Sequence, residues 1–468
     1  MKKVWLSLLV LWGFLNACQS VAGEMSDDEL NNIVLRSYQY VAMYNSINNV
    51  AMQDRNPFGT HGWNKVFVPA GLQNHEVTAV PRPNNDTLYL TSTLDLRDDA
   101  IVIRFPAFDS KYVSLETSAY DHFVEMPLST TKGDFRKATT LLFYSDRTKN
   151  YHGEPVRGVD RILKMNGDFA VAFLRIAPHS TDKVRMERIL AQMKTQQLMT
   201  LSDFQGTAAR PVTPVEFPAF SNDQSVFKNN FLEVMQFVFN HTSFDPDFEM
   251  DQKVLSAFKP LGVEPGKAFD TTKVVHIDGE RLATVAAKVL AESLSIWNDP
   301  KGNPYLAGLF VPKKNMALKP MVLQSAVGPL GMPADQAQYP GIGTVDGQPI
   351  LASGHYLVRM TKDQLPPARA FWSVTVYDSK HGLFIPNEFY KYSVGENGGV
   401  KLNAQGGVDI HIAPTRPDGV VAENWLPSGG GDTQLDLIMR IYAPDVGIMK
   451  TWHAPKAVKL ELQGVVKE

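Results

Sequence analysis

The chain has 468 residues, a formal net charge of −3, and 44% hydrophobic against 20% charged residues. That length buries more than one core, and the balance excludes a disordered chain or one built of membrane spans. No basic block stands out, so nucleic acid is not an expected partner. A single cysteine, Cys18, excludes an intrachain disulfide and leaves no other thiol nucleophile.

At the start, Lys2 and Lys3 precede an apolar run from Val4 to Leu15, the pattern of an export signal and too short for a permanent span. Leu15-Asn16-Ala17-Cys18 resembles a lipobox, which would make Cys18 a lipid anchor. Ser20-Val21-Ala22 offers ordinary signal-peptidase cleavage instead. The expectation is a periplasmic lipoprotein touching the membrane only through its anchor, with a soluble periplasmic or secreted protein as the alternative.

Ser26 and Glu29 have the spacing of a capping box, and Leu30, Ile33, Val34, Tyr38 and Val41 recur at helical spacing, which predicts a helix to about Asn45. An irregular, Pro-containing segment follows to Pro83. From Asp86 to about Ile176 the period is two. Leu88, Leu90, Leu94 and Leu96 alternate with Thr87, Tyr89, Thr91, Thr93 and Asp95, a half-buried strand, and further strands fall at 101–105, 113–117, 139–144 and 169–176. Short strands separated by turns predict an antiparallel sandwich.

After Pro178 the period becomes 3.6. Apolar faces beginning at Val184, Phe227 and Leu282 predict three helices in a middle region from about 181 to 298. Residues 299–345 carry Pro and Gly without periodicity and read as an ordered connector. Alternation returns from about Ile350, through 356–360, 370–377, 408–412 and 435–442, and predicts a second sandwich of jelly-roll size over 346–468. The fold class is therefore mainly β, with a helical middle between an N-terminal sandwich (26–180) and a C-terminal one.

Common catalytic motifs are missing: no G-x-S-x-G elbow, no Walker loop, no H-E-x-x-H. The eleven histidines lack the spacing of a zinc site, so no metal or cofactor is named by the sequence. Three constellations remain. Asn85, Asp86 and Tyr89 sit at a strand mouth, where Asp86 is a candidate acid/base or hydroxyl ligand; the competing reading has Asn85 and Asp86 bonding their own turn while Tyr89 packs under a loop. Asp121 and His122 end a strand, and a carboxylate beside an imidazole tunes its proton affinity. Adjacent strand residues face opposite ways, so the two share a site only if the strand ends there. Tyr377, Asn424 and Trp425 are candidate platform and amide groups for a ring or sugar, or equally for a packed domain interface, with Trp372 turned into the core.

The sequence also resembles a bacterial family of uncharacterised function built from DUF1254 and DUF1214 domains. The first half of the resemblance is carried by Pro83-Asn84-Asn85-Asp86-Thr87-Leu88-Tyr89, Leu94-Asp95-Leu96, Arg104-Phe105-Pro106 and Tyr112. The second is carried by Ala370-Phe371-Trp372-Ser373-Val374-Thr375-Val376-Tyr377-Asp378, Asn424-Trp425-Leu426-Pro427, Arg440-Ile441-Tyr442-Ala443-Pro444 and Trp452. It implies an immunoglobulin-like sandwich, a helical middle and a jelly-roll, and it brings no established reaction or catalytic residues. The match is loose over Ser118-Ala119-Tyr120-Asp121-His122.

Two functions are expected on these grounds. One is an exported hydrolase or lyase acting on a small or carbohydrate-like molecule in a cleft between the sandwiches. It would use Asp86 or Asp121 as acid/base, with Asn85, Tyr89, His122, Tyr377, Asn424, Trp425 and Arg440 as binding groups. The other is a non-catalytic envelope binding or scaffolding protein, in which the same residues lock the domains together. A homo-oligomer is compatible with either.

Overall fold

The computed structural model describes residues 24–461 apart from 55, 79–80, 222, 299–307 and 329, so the leader, Cys18 and the first part of the expected connector lie outside the described residues. The chain opens with α1 (Asp27–Met52). Eight strands follow: β1 (Lys65–Phe67), β2 (Leu88–Asp95), β3 (Ile101–Phe105), β4 (Val113–Ala119), β5 (Glu125–Ser129), β6 (Thr139–Tyr144), β7 (Arg161–Lys164) and β8 (Phe169–Ile176). The middle region comprises α2 (Lys183–Met193), β9 (Gln197–Thr200), α3 (Leu201–Gln205), α4 (Ser225–Asn229), α5 (Phe231–His241), α6 (Glu249–Phe258), α7 (Gly279–Asn298) and α8 (Leu318–Val327). The last part carries β10 (Ala337–Gln338), β11 (Gly341–Ile342), β12 (Ile350–Leu351), β13 (His355–Met360), β14 (Ala368–Asp378), β15 (Ser393–Gly395), β16 (Val408–Ala413), β17 (Trp425–Pro427), β18 (Gln434–Pro444) and β19 (Ala457–Leu460).

The fold is mainly β, with four sheets forming two sandwiches. In the first sandwich, a sheet ordered β1-β2-β8-β4-β5 faces a sheet ordered β7-β6-β3-β9. Leu88, Leu90 and Leu94 of β2 and Ala170, Ala172, Leu174 and Ile176 of β8 fill the space between them. The alternate residues Tyr89, Phe169, Val171 and Phe173 point the other way, into a second core built with α1, α5, α6 and α7. This corrects the reading of β2 as half-buried: every residue from Leu88 to Asp95 is buried, because helices cover the face that alternation alone assigns to solvent.

The capping box forms as the spacing requires, with Ser26 N–H donating to Glu29 Oε2 at 2.8 Å and Glu29 N–H to Ser26 Oγ at 3.3 Å. The helix runs past Asn45, and its extra turns are held by tertiary bonds to their asparagines. Ser221 N–H donates to Asn45 Oδ1 (3.1 Å), Tyr120 OH to Asn48 Oδ1 (3.0 Å), and Asn49 Nδ2 to Ser221 C=O (2.9 Å). Propensity disfavours Asn in a helix, and the neighbours reverse that preference.

In the second sandwich a sheet running β10-β18-β14-β15, with β11 and β12 also paired to β18, faces one running β17-β16-β13-β19. Trp372, Val374, Val376, Leu437, Met439 and Ile441 form the core between them, as alternation predicts. The stretch expected as an ordered connector holds α8, packed on α1 and α7, and two short strands that extend the β18 edge. Among the described residues no helix is long and apolar enough to cross a membrane.

Candidate functional site

β14 and β18 are neighbours in register, with Ser373 opposite Arg440, Phe371 opposite Tyr442 and Tyr377 opposite Asp436. Since Trp372, Val374 and Val376 are turned to the core, Ser373, Thr375, Tyr377, Arg440 and Tyr442 occupy the other face. That face is not solvated: each of the five is at most 4% exposed. It is covered by the polar turn that precedes β2.

The contact is dense. Asp86, itself 2% exposed, accepts from Ser373 Oγ (2.5 Å) and from Tyr442 OH (3.2 Å) on the same oxygen, Oδ2. Its N–H donates to Asn84 Oδ1 (2.6 Å), and Asn84 Nδ2 donates to Tyr442 OH (2.9 Å). Asn397 Nδ2 closes the other side by donating to the Asp86 carbonyl (2.9 Å). Tyr377 OH donates to the Pro83 carbonyl (2.5 Å), and Arg440 donates to Tyr377 OH (2.6 Å), Thr375 Oγ1 (2.9 Å) and the Arg82 carbonyl (3.2 Å). Arg82 N–H in turn donates to the Gly382 carbonyl (2.6 Å); Gly382 has φ +71°, and a Cβ there would lie 3.3 Å from Pro81.

Burial works against the Arg440 charge, but Tyr377, Tyr442 and Asp86 outweigh it and raise its pKa. Burial pushes Tyr377 up to about 12 despite the Arg440 cation beside it. Groups so thoroughly satisfied and desolvated form a rigid joint. Asp86, Tyr377 and Arg440 therefore lie in one joint, Arg440 bonding Tyr377 while Asp86 bonds Ser373 and Tyr442.

The remaining expected residues go elsewhere. Asn85 Nδ2 donates to the Gln73 carbonyl. Asn424 is spent on the backbone, its amide meeting Lys401 N–H (2.7 Å) and the Lys401 and Asp409 carbonyls (2.8 and 3.0 Å). Trp425, on the opposite sheet, is buried and donates Nε1–H to Ala413 C=O (2.9 Å). Asp121 and His122 do lie where β4 has ended, but they part. The imidazole, on a residue with φ +64°, meets Ser325 Oγ at 2.9 Å, whereas the carboxyl faces the Lys313–Asp251 ion pair (2.5 Å). Burial pushes Asp121 up to about 7 against the pull of Lys313, and neither carboxyl oxygen makes a well-formed hydrogen bond to the described residues. The space beside this cluster is about 10 Å³. No group of three His, Cys, Asp or Glu among the described residues is placed to hold a metal.

Tyr89 is the expected residue that reaches open space. A cavity of about 940 Å³ lies between the helix-covered face of the first sheet, α1 and α7, with Arg82, Pro83 and Asn84 at one rim. Tyr89 and Phe173 line its sheet side, Val41 and Ala42 its α1 side, and Leu290 its α7 side. Arg175 also lines it, with its guanidinium carbon 5.5 Å from the Tyr89 ring centre and 5.2 Å from that of Phe173. Arg175 Nη1 is 2.7 Å from Glu116 Oε2. A second cavity, of about 320 Å³, shares the Phe58 and Tyr89 wall. Sequence reasoning missed Arg175. Its signal was present, as the one charge in the run Phe169-Ala170-Val171-Ala172-Phe173-Leu174-Arg175-Ile176.

Two joined sandwiches with a helical layer define the class of fold. Models of the two domains of unknown function, DUF1254 and DUF1214, match residues 63–197 and 338–446. The chain belongs to the DUF1254/DUF1214 domain-containing family. Its fold is similar to the crystal structure of the VPA0106 protein from Vibrio parahaemolyticus, with a TM-score of 0.70 at 20% identity over 93% of this chain and 100% of that one. An uncharacterized protein from Burkholderia cenocepacia aligns over 92% of this chain and 94% of that one with a TM-score of 0.43 at 14% identity. No curated protein matches.

Proposed function

We propose that the chain is an exported envelope protein that binds a small molecule without transforming it, and that the ligand occupies the cavity of about 940 Å³ beside Tyr89 and Arg175. The observation that carries this reading is the contrast between two regions. The joint around Asp86 is filled and hydrogen-bonded to its own chain. The cavity next to it has the size of a small-molecule site, with aromatic and aliphatic side chains such as Val41, Phe58, Phe173 and Leu290 set among amides, hydroxyls and three cations. Leu294 and Val327, each 37% exposed, line it too and give it an apolar mouth. The export signal at Lys2–Leu15 and a lipid on Cys18 belong to the same proposal.

Titrating 1-anilinonaphthalene-8-sulfonate into the folded protein tests it. One saturable site is expected, lost when Ala42→Trp or Ala283→Trp fills the cavity. Unaltered dye binding in both folded variants would place the site elsewhere and sink the reading.

One observation favours a hydrolase or lyase instead: a buried carboxyl at about 7, Asp121, is matched to proton transfer near neutral pH. On that reading Asp121→Asn abolishes turnover of whatever substrate is found, and retained turnover rules it out.

A further inference from the structure

Three polar atoms in the cavity wall lack a well-formed hydrogen bond. Arg175 Nη1 is ion-paired with Glu116 Oε2 at 2.7 Å but not in well-formed hydrogen-bond geometry, and Asn49 Oδ1 has no hydrogen-bond partner among the described residues. Tyr89, 6% exposed, donates its hydroxyl to nothing among the described residues. Buried polar groups left in this state cost free energy unless something enters to pair with them. Arg175 is 4% exposed and held in place: Nη2 donates to the Leu330 carbonyl, Glu116 sits behind it, and two aromatic faces flank it. A guanidinium so fixed offers a planar fork suited to a carboxylate. The cations that line the cavity, Arg82, Arg175 and Lys228, outnumber the one lining acid, Asp223. Asp436, Glu116 and Glu280, which pair with those cations, stand outside the lining. An apolar strip of the wall runs from Val41 and Ala42 across to Phe227, Leu290 and Leu294, beside polar side chains such as Asn45, Gln53 and Gln224.

We infer that the ligand is an amphiphile with an apolar body and a carboxylate head, the head accepting from Arg175 Nη1 and the Tyr89 hydroxyl and the body lying along α1 and α7. This rests on the cavity's being the ligand site, and it adds the chemical class and the two residues that read the head.

The test displaces the bound fluorescent dye with three probes of equal chain length: dodecanoate, dodecanol and dodecyltrimethylammonium. Dodecanoate is expected to displace at roughly tenfold lower concentration than dodecanol, the worth of one charge-assisted hydrogen bond, and the cation to be the weakest. Tyr89→Phe, which removes one oxygen and keeps the ring, lowers dodecanoate affinity several-fold more than it lowers dodecanol affinity. Dodecanol equal to dodecanoate, or a Tyr89→Phe protein indistinguishable from the parent, overturns the head-group assignment while the cavity reading stands. Dye binding that ignores both Ala42→Trp and Ala283→Trp overturns the two together.

Discussion

Asp86 presents one carboxyl oxygen to Ser373 and Tyr442, residues far along the chain, and no solvent reaches it. Replacing it by Asn removes the anion that accepts from both and leaves Arg440 with one counter-charge fewer. Asp86→Asn is expected to lose about 2–3 kcal/mol in urea unfolding, since hydrogen bonds to a charged group contribute about that much. Asp121 gives the opposite sign. Its folded pKa, about 7, lies above the ordinary Asp value of 3.8, so the folded state holds a proton that the unfolded chain has released. Stability therefore falls as pH rises through the window from about 4 to about 7. Asp251, raised by burial, adds to the same trend. Asp121→Asn should flatten the slope of unfolding midpoint against pH, and an unchanged slope would move its origin to other groups. At this scale the sequence was half legible. Asp86, Tyr377 and Arg440 stood out as polar groups in alternating strands. That they meet was expected, in a cleft or as a lock between the domains; which atoms pair could not be read, because the pairing spans hundreds of residues and no local pattern encodes it.

Among the elements, α1 is the strut on which the helices and the first sheet meet. Its buried face carries Ile33, Val34, Met43 and Tyr44, and Tyr44 packs on Tyr120 and Phe237 at ring separations of 5.5 and 5.6 Å. Met43→Ala should cost about 2–5 kcal/mol for a fully buried side chain. Ser26→Ala, which breaks only the cap, should cost about 1 kcal/mol. Similar losses for the two by chemical denaturation would argue against α1 as the central strut. The cap and first turns of α1 were legible from spacing. Its end was not, because Asn45, Asn48 and Asn49 read as a terminus until their partners Ser221 and Tyr120 are known. β2 failed in the same direction, and the polar face of β18 is buried likewise at Arg440 and Tyr442. Alternation identified the two faces of each strand correctly, and tertiary contacts buried the face that looked wet. The α8 helix was hidden by Pro320 inside it and by an apolar face spread around its axis.

At the scale of the whole molecule, the turn from Arg82 to Asp86 is where the two sandwiches are joined, and the adjoining cavity is left to the first sheet and the helices. The period changes at Pro178 and near Ile350 mark where helices and then strands resume, although α2 and β9, after Pro178, pack on the first sandwich. The joint between the sandwiches was visible only as polar residues at positions that a solvated sheet would also use. The central claim is that the buried polar face of β14 and β18 holds the molecule together and that the ligand is read at Tyr89 and Arg175. The most direct measurement is to unfold Asp86→Asn in urea and to titrate 1-anilinonaphthalene-8-sulfonate into the same protein under native conditions. The account predicts a lowered unfolding midpoint with dye affinity unchanged; an unchanged midpoint together with lost dye binding would make Asp86 a ligand group and contradict it.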